Sequence, residues 1–132
     1  MATSYDDIYV KFLSICKTED INLPNTDEKI YQFIRSAVDY YNNRMRTILV
    51  CDDENECVNE ELDSDGIIIL ANYLRLVLLT NELTYFTTVW QPFSKDLGLR
   101  NYQSQVKAHE FLIQNQEKKI DELIKNAATD YL

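Results

Sequence analysis

Glycine and proline are scarce in this chain of 132 residues, which has only two of each. Tight β-turns depend on these residues, so their scarcity argues against an all-β fold. Long runs rich in Leu, Ile, Glu, Lys, Gln and Asn favour helices instead. The sequence therefore predicts one all-α domain, a bundle of about four helices. A chain of this length can bury a single hydrophobic core large enough to stabilise such a bundle.

Catalytic signatures are absent as well. The chain has no serine elbow, HExxH motif, Walker loop or GxGxxG motif, and a single histidine, His109. General acid-base catalysis would give His109 a nucleophile or carboxylate partner. Its spacing between Val106 and Ile113 instead places it on the edge of a helical core stripe. We expect no enzymatic activity, no catalytic residue and no cofactor.

The cysteines do not form a recognisable framework. Cys16, Cys51 and Cys57 are odd in number and include no CxxC pair, and the first residues lack the basic and apolar regions of a signal peptide. We expect from this pattern that the protein is synthesised in a reducing, intracellular compartment. Free buried thiols are the favoured interpretation, while a bridge or a metal site at Cys51 and Cys57 stays open.

Basic residues are outnumbered 13 to 22, which gives a formal charge of -9 and argues against a surface that grips nucleic-acid phosphates. The excess is local, because residues 52–65 hold eight acids and no base. The segment around Gly66 can be aligned with the calcium-binding loop of an EF-hand. The first three side-chain ligand positions are then occupied by Glu61, Asp63 and Asp65, but Asn72 stands where a bidentate Glu is required. We therefore expect a solvated, cap-forming loop that binds no metal, with Asp63 or Ser64 capping the next helix.

The longest apolar stretch, residues 67–90, is predicted to be a central helix with two apolar faces. One face carries Ile67, Leu70, Ala71, Leu74, Val77 and Leu78, and the other carries Ile69, Tyr73, Leu76, Leu83, Phe86 and Trp90. Such a helix must be wrapped by its own bundle or shared with a neighbouring chain. A membrane span is disfavoured because Arg75 lies in the middle of this stretch and the uninterrupted apolar part is shorter than a span requires.

Three further helices are predicted, over residues 5–17, 27–45 and 102–128. Thr3 or Ser4, Asn25 or Thr26, and Ser94 or Asn101 are their candidate caps. Between the second and central helices, residues 43–65 are predicted to form a loop or arm. Its β-branched segment, residues 47–51, either extends the second helix or forms an irregular or hairpin-like arm with residues 56–62. A neighbouring subunit would complete such an arm. The last helix, about 40 Å long, exceeds what a compact bundle covers, so residues 118–132 are expected to project.

Four segments together resemble the small head-tail connector proteins of tailed bacteriophages, also called head completion or adaptor proteins. They are residues 5–13 (YDDIYVKFL), 34–38 (IRSAV), 62–71 (LDSDGIIILA) and 93–99 (FSKDLGL). The resemblance covers most of the chain and rests on the order and spacing of helices rather than on a catalytic motif. The threonines at 84, 87 and 88, near the end of the central helix, are unusual in this pattern.

The resemblance implies a virion protein of the neck, assembled in the host bacterial cytoplasm as a ring of about a dozen subunits. Such a ring docks on the portal protein, lets genomic DNA pass without specific binding, and supports the next neck or tail completion protein. No membrane partner is expected. By the same resemblance the C-terminal segment binds the portal, through Lys118, Lys119, Glu122, Lys125, Tyr131 and Leu132.

Two more surfaces complete this prediction. Aromatic side chains anchor interfaces, so the subunit contact is assigned to Tyr73, Leu76, Leu83, Tyr85, Phe86, Trp90 and Phe93. The acidic part of the arm is expected near the channel or the tail-side partner, where it would repel DNA, and comprises Asp52, Asp53, Glu54, Glu56, Glu60 and Glu61.

A rival interpretation from another class is a small acidic regulatory module, either a DNA mimic or a host-factor inhibitor. It predicts a stable monomer or dimer that binds a basic partner through the acidic loop.

Overall fold

The computed structural model describes residues 2–15, 23, 24, 26–93, 95 and 98–130, without the side chains of residues 93, 99 and 128–130. Within these residues four helices are arranged as an all-α bundle, which confirms the predicted fold class with its long central and C-terminal helices. They are α1 (Tyr5–Ile15), α2 (Asp27–Met45), α3 (Ser64–Trp90) and α4 (Leu99–Asp130), with a 3-10 turn at Gln91–Phe93 between α3 and α4.

Side-chain caps set where the helices begin. The Thr26 hydroxyl accepts a hydrogen bond from the Lys29 amide at 3.2 Å and starts α2. The Asp63 carboxylate accepts from the Gly66 amide at 2.7 Å and starts α3, so Asp63 and not Ser64 is the cap. Asn101 lies inside α4 and is not a cap, because α4 already begins at Leu99, directly after the left-handed Gly98.

Some predicted helix ends and caps lie outside the described residues. These are the last two residues of the first helix, 16 and 17, and the alternative caps at 25 and 94.

Helix α3 is the centre of the bundle, since α1, α2 and α4 all pack against it. Its first half is enclosed on every side. Gly66 is buried, and so is every residue from Ile69 to Leu79 except Arg75, which is partly exposed. The helix is long and apolar enough to cross a bilayer by length and composition, yet 61% of the apolar window is buried inside the bundle. This burial is what a core helix of a soluble bundle shows.

A polar cluster lies inside the interface between α3 and α4. Gln116 and Asn72 are almost fully buried, and the Gln116 amide donates to the Asn72 carbonyl oxygen at 2.9 Å and to its side-chain oxygen at 3.0 Å. The Arg75 guanidinium donates to the side-chain oxygen of Gln116. Buried polar groups are costly unless bonded, so only one register of the two antiparallel helices satisfies this set.

The C-terminal helix does not project where the sequence suggested. Ile120 is 2% exposed and Ala127 is 8% exposed, and both belong to the hydrophobic core. The expectation that residues 118–132 leave the bundle is therefore wrong for the described part up to residue 127. The physical reason is that α3, with 27 residues, gives α4 a partner nearly as long as itself.

A small sheet joins the N-terminus to the arm. In the order β1-β3-β2, strand β3 (Cys57–Val58) pairs antiparallel with both β1 (Thr3–Ser4) and β2 (Cys51–Asp52). The hairpin-like arm is thus present, but its third strand comes from the same chain and no neighbouring subunit is needed to complete it. The buried Thr3 hydroxyl secures the junction by donating to the Glu60 carbonyl and accepting from the Leu62 amide, each at 2.8 Å.

The sheet register decides the open question about two cysteines. Cys51 pairs with Val58, and Cys57 pairs with Asp52. Because successive residues of a strand point to opposite faces, the side chains of Cys51 and Cys57 lie on opposite faces of the sheet. Both thiols are free, and a bridge between them is incompatible with this register. Cys16 lies outside the described residues.

We expect Gln116→Leu to lower the free energy of unfolding by about 1–3 kcal/mol, because Asn72 then keeps a buried oxygen without its donor. Urea denaturation followed by circular dichroism measures the loss.

Gln114→Leu is the matched control, since Gln114 is exposed on the same helix. It should change stability by less than about 0.5 kcal/mol. Equal effects of the two variants would contradict the importance of the buried cluster.

Candidate interaction surface

Two of the residues assigned to a subunit interface are buried within their own chain. Tyr73 is 6% exposed, with its ring stacked on Tyr40 at a centroid distance of 6.0 Å, and Leu76 is 7% exposed. Their assignment to an interface is wrong, because the second apolar face of the first half of α3 is covered by the helices of the same subunit.

The second half of α3 is less covered. Tyr85 is 69% exposed and Trp90 is 39% exposed, whereas Leu83 and Phe86 are half-buried. The Phe86 ring lies 5.7 Å from that of Tyr102 and 5.2 Å from that of His109, both on α4. Phe86 therefore belongs to the α3 and α4 contact, and its ring also lies 6.5 Å from that of Trp90, while Tyr85 is mostly exposed to solvent. The side chain of Phe93 lies outside the described part of the structure.

The residues Phe111 and Leu112 form an exposed apolar pair, here called the α4 ridge. Phe111 is 61% exposed and Leu112 is 44% exposed. Phe111 is two residues, or about 200° of helix rotation, from both His109 and Ile113, which face the bundle, so it points away from α3. Phe111 was not among the residues predicted to form an interface. Its position out of phase with the stripe that contains His109 and Ile113 was the available signal.

A groove opens between the beginning of α2 and the middle of α3. Its volume is about 760 Å³, and its lining includes the apolar side chains of Phe33, Val77, Leu78 and Tyr85. Polar and charged groups at its border include Asn81, Glu82 and Lys29. The groove was not anticipated from the sequence, because its lining comes from two helices that are far apart in the chain.

Glu82 is the electrostatically unusual group of this region. Burial raises the pKa of its carboxyl, and the nearby His109 and Arg75 oppose that shift. His109 is half-buried against Phe86, the position expected for a histidine at the edge of a core stripe.

The acidic arm is fastened to the bundle by its own carboxylates. The Tyr5 hydroxyl donates to Asp53 at 2.7 Å, and Arg35 pairs with the same carboxylate at 3.3 Å. The Tyr31 hydroxyl donates to Glu56 at 2.8 Å, and this hydrogen bond raises the pKa of Tyr31 to about 12. Burial, followed by the bond to Asp53, also raises the pKa of Tyr5. Two of the six acids assigned to a loop near the channel or the tail-side partner thus hold the arm against the bundle.

The remaining acids of that set behave differently. Asp52 accepts from the side chain and backbone of Asn55 in the turn of the hairpin, and these bonds lower the pKa of its carboxyl. Glu54, Glu60 and Glu61 are exposed. Among the described residues no group of three His, Cys, Asp or Glu side chains is placed to hold a metal ion.

The residues assigned to portal binding lie on the outer side of α4 where they are described. Lys118, Lys119, Glu122 and Lys125 are exposed, although the core residues Ile120 and Ala127 lie on the same part of the helix. The other two, at positions 131 and 132, lie outside the described residues.

The model of the YomZ prophage protein family matches residues 1–129, almost the whole chain. The chain belongs to this family. It is 43% identical over 130 residues to the SPbeta prophage-derived uncharacterized protein YomZ of Bacillus subtilis (strain 168), covering 98% of this chain and 99% of that protein. No solved structure matches. Membership of a prophage family agrees with the phage origin inferred from the sequence.

Glu82→Gln should stabilise the protein at pH 7 and have a smaller effect near pH 4. A carboxyl whose pKa is raised in the folded state does not lower the free energy of unfolding below its unfolded pKa, but lowers it as the pH rises and the group ionises. Glutamine does not ionise, so the substitution removes this loss of stability at pH 7. Urea midpoints at both pH values measure it, with the exposed Glu117→Gln as control. A larger gain at pH 4 than at pH 7 would contradict the assignment.

Proposed function

We propose that this protein is a structural subunit of a phage particle, a ring-forming head-tail connector that docks on the portal protein. The main support is a set of large apolar side chains that are exposed on α3 and α4: Tyr85, Trp90, Phe111 and Leu112. Large exposed apolar groups on a small domain mark contacts with other proteins. The prophage family and the resemblance of residues 5–13, 34–38, 62–71 and 93–99 to connector proteins are the further supports.

The distribution of charge favours a contact between copies in this region. Residues 80–112 hold three acids and three bases and are neutral as a group, whereas the chain as a whole carries -9. Two exposed apolar residues outside this stretch, Val10 on α1 and Val50 on the arm, lie in segments where acids outnumber bases. Like charges oppose association, so the neutral stretch is where two identical acidic subunits meet most easily.

The other surfaces suit the remaining contacts of a connector. The outer side of the last part of α4 presents Lys118, Lys119 and Lys125, which we assign to the portal protein. The exposed acids Glu54, Glu60 and Glu61 carry negative charge that would keep DNA from adhering to the channel wall. The next neck or tail completion protein would bind the side of the ring opposite the portal.

The same three exposed acids support a second candidate, an acidic regulatory module that mimics DNA. This candidate is weaker, because Asp53 and Glu56 are used to fasten the arm to the bundle. It also gives no role to the apolar side chains of residues 80–112.

The proposal is tested by the mass of the purified protein, alone and mixed with the portal protein of its own prophage. Light scattering should give the mass of a ring of about a dozen subunits, alone or on the portal, and negative-stain images should show a ring. Portal protein by itself is the control for the images.

A strict monomer or dimer that does not bind the portal protein would contradict the connector proposal. Binding of such a species to a basic protein through the acidic arm would support the regulatory alternative instead.

A further inference from the structure

We infer that neighbouring subunits join by inserting the α4 ridge of one copy, Phe111 and Leu112, into the α2/α3 groove of the next. The inference rests on the proposed function and specifies the contact that the ring would use. The occupant of the groove is a second copy of this chain.

Shape and polarity agree between the two surfaces. The ridge offers one aromatic and one aliphatic side chain, exposed by 61% and 44%, on a regular helix. The groove has an apolar lining from Phe33, Val77 and Leu78 and a volume of about 760 Å³. Burying large apolar side chains in a preformed apolar groove is the usual way in which helical segments anchor to a partner.

Charge is complementary at both borders of the contact. Glu110 precedes Phe111 directly, and Lys107 lies one helical turn before it. The groove border offers Lys29 and the half-buried Glu82, one charge of each sign. Glu110 can face Lys29 while Lys107 faces Glu82. A carboxyl whose pKa is raised by burial gains from a cation that arrives with the partner.

The geometry makes the contact heterologous. The ridge points away from α3, whereas the groove lies between α2 and α3, so one subunit carries two different halves of the contact. Each added copy leaves a free ridge at one end and a free groove at the other. Contacts of this type close into a ring when the rotation permits, and an isologous contact through the ridge alone would stop at a dimer.

The experiment uses two variants that each remove one half of the contact. Phe111→Glu disables the ridge, and Asn81→Trp fills the groove. Both positions are exposed, so the fold should persist, which circular dichroism verifies. Val10→Glu, at an exposed position of α1, is the control and should assemble as the parent chain does.

Each contact variant alone should be monomeric by native mass spectrometry. A 1:1 mixture should form a species of twice the monomer mass and nothing larger, because the intact groove of Phe111→Glu receives the intact ridge of Asn81→Trp. A mixture that stays monomeric, or assembly by Phe111→Glu alone, would overturn the inference.

A photo-crosslinking phenylalanine analogue at position 111 provides a second measurement on the assembled ring. With isotopically labelled and unlabelled copies mixed, crosslinks should join position 111 to groove peptides of another copy. Crosslinks to position 111 of another copy would overturn the inference and leave the ring proposal intact. If the parent chain forms no ring even on the portal protein, the proposed function fails as well.

Discussion

The buried contact between Asn72 and Gln116 holds the two longest helices in one register, and the surfaces of the molecule depend on that register. Sliding α4 by one turn along α3 would leave the Gln116 amide and the Asn72 oxygens unbonded inside the core, at a cost that apolar packing does not recover. The same register places Phe86 between Tyr102 and His109 and turns Phe111 toward solvent. A polar pair in an apolar interface thus supplies specificity that leucine and isoleucine alone do not.

Around this pair the chain divides into regions with different tasks. The first half of α3 is enclosed by α1, α2 and α4 and forms the core. The acidic arm is fastened by β1 and by the tyrosines at positions 5 and 31, so much of its charge serves the fold. The neutral stretch of residues 80–112 remains as the region where apolar side chains reach solvent without a surrounding excess of acids. In our proposal, this is where subunits meet.

Helical periodicity was sufficient to predict α2 at its observed bounds, the central helix, and Thr26 and Asp63 among the caps. Tertiary placement was not available from periodicity. The sequence could not show that α4 lies along α3 to residue 127, because two long amphipathic helices can pair or diverge with the same pattern. Gln116 was missed since a polar residue on an apolar stripe gives no signal without its partner. Phe111 was missed because helical periodicity identifies residues in phase with the core, and Phe111 is out of phase with it.

Hydroxyl-radical footprinting of the protein, alone in dilute solution and assembled on the portal protein, is the most direct test of the claim that subunits meet through the neutral stretch. Oxidation should fall at Tyr85 and Phe111 on assembly. It should be unchanged at Val10 and Tyr40, which are also exposed but lie elsewhere. Protection limited to the acidic arm, with Tyr85 and Phe111 as reactive as before, would contradict the account.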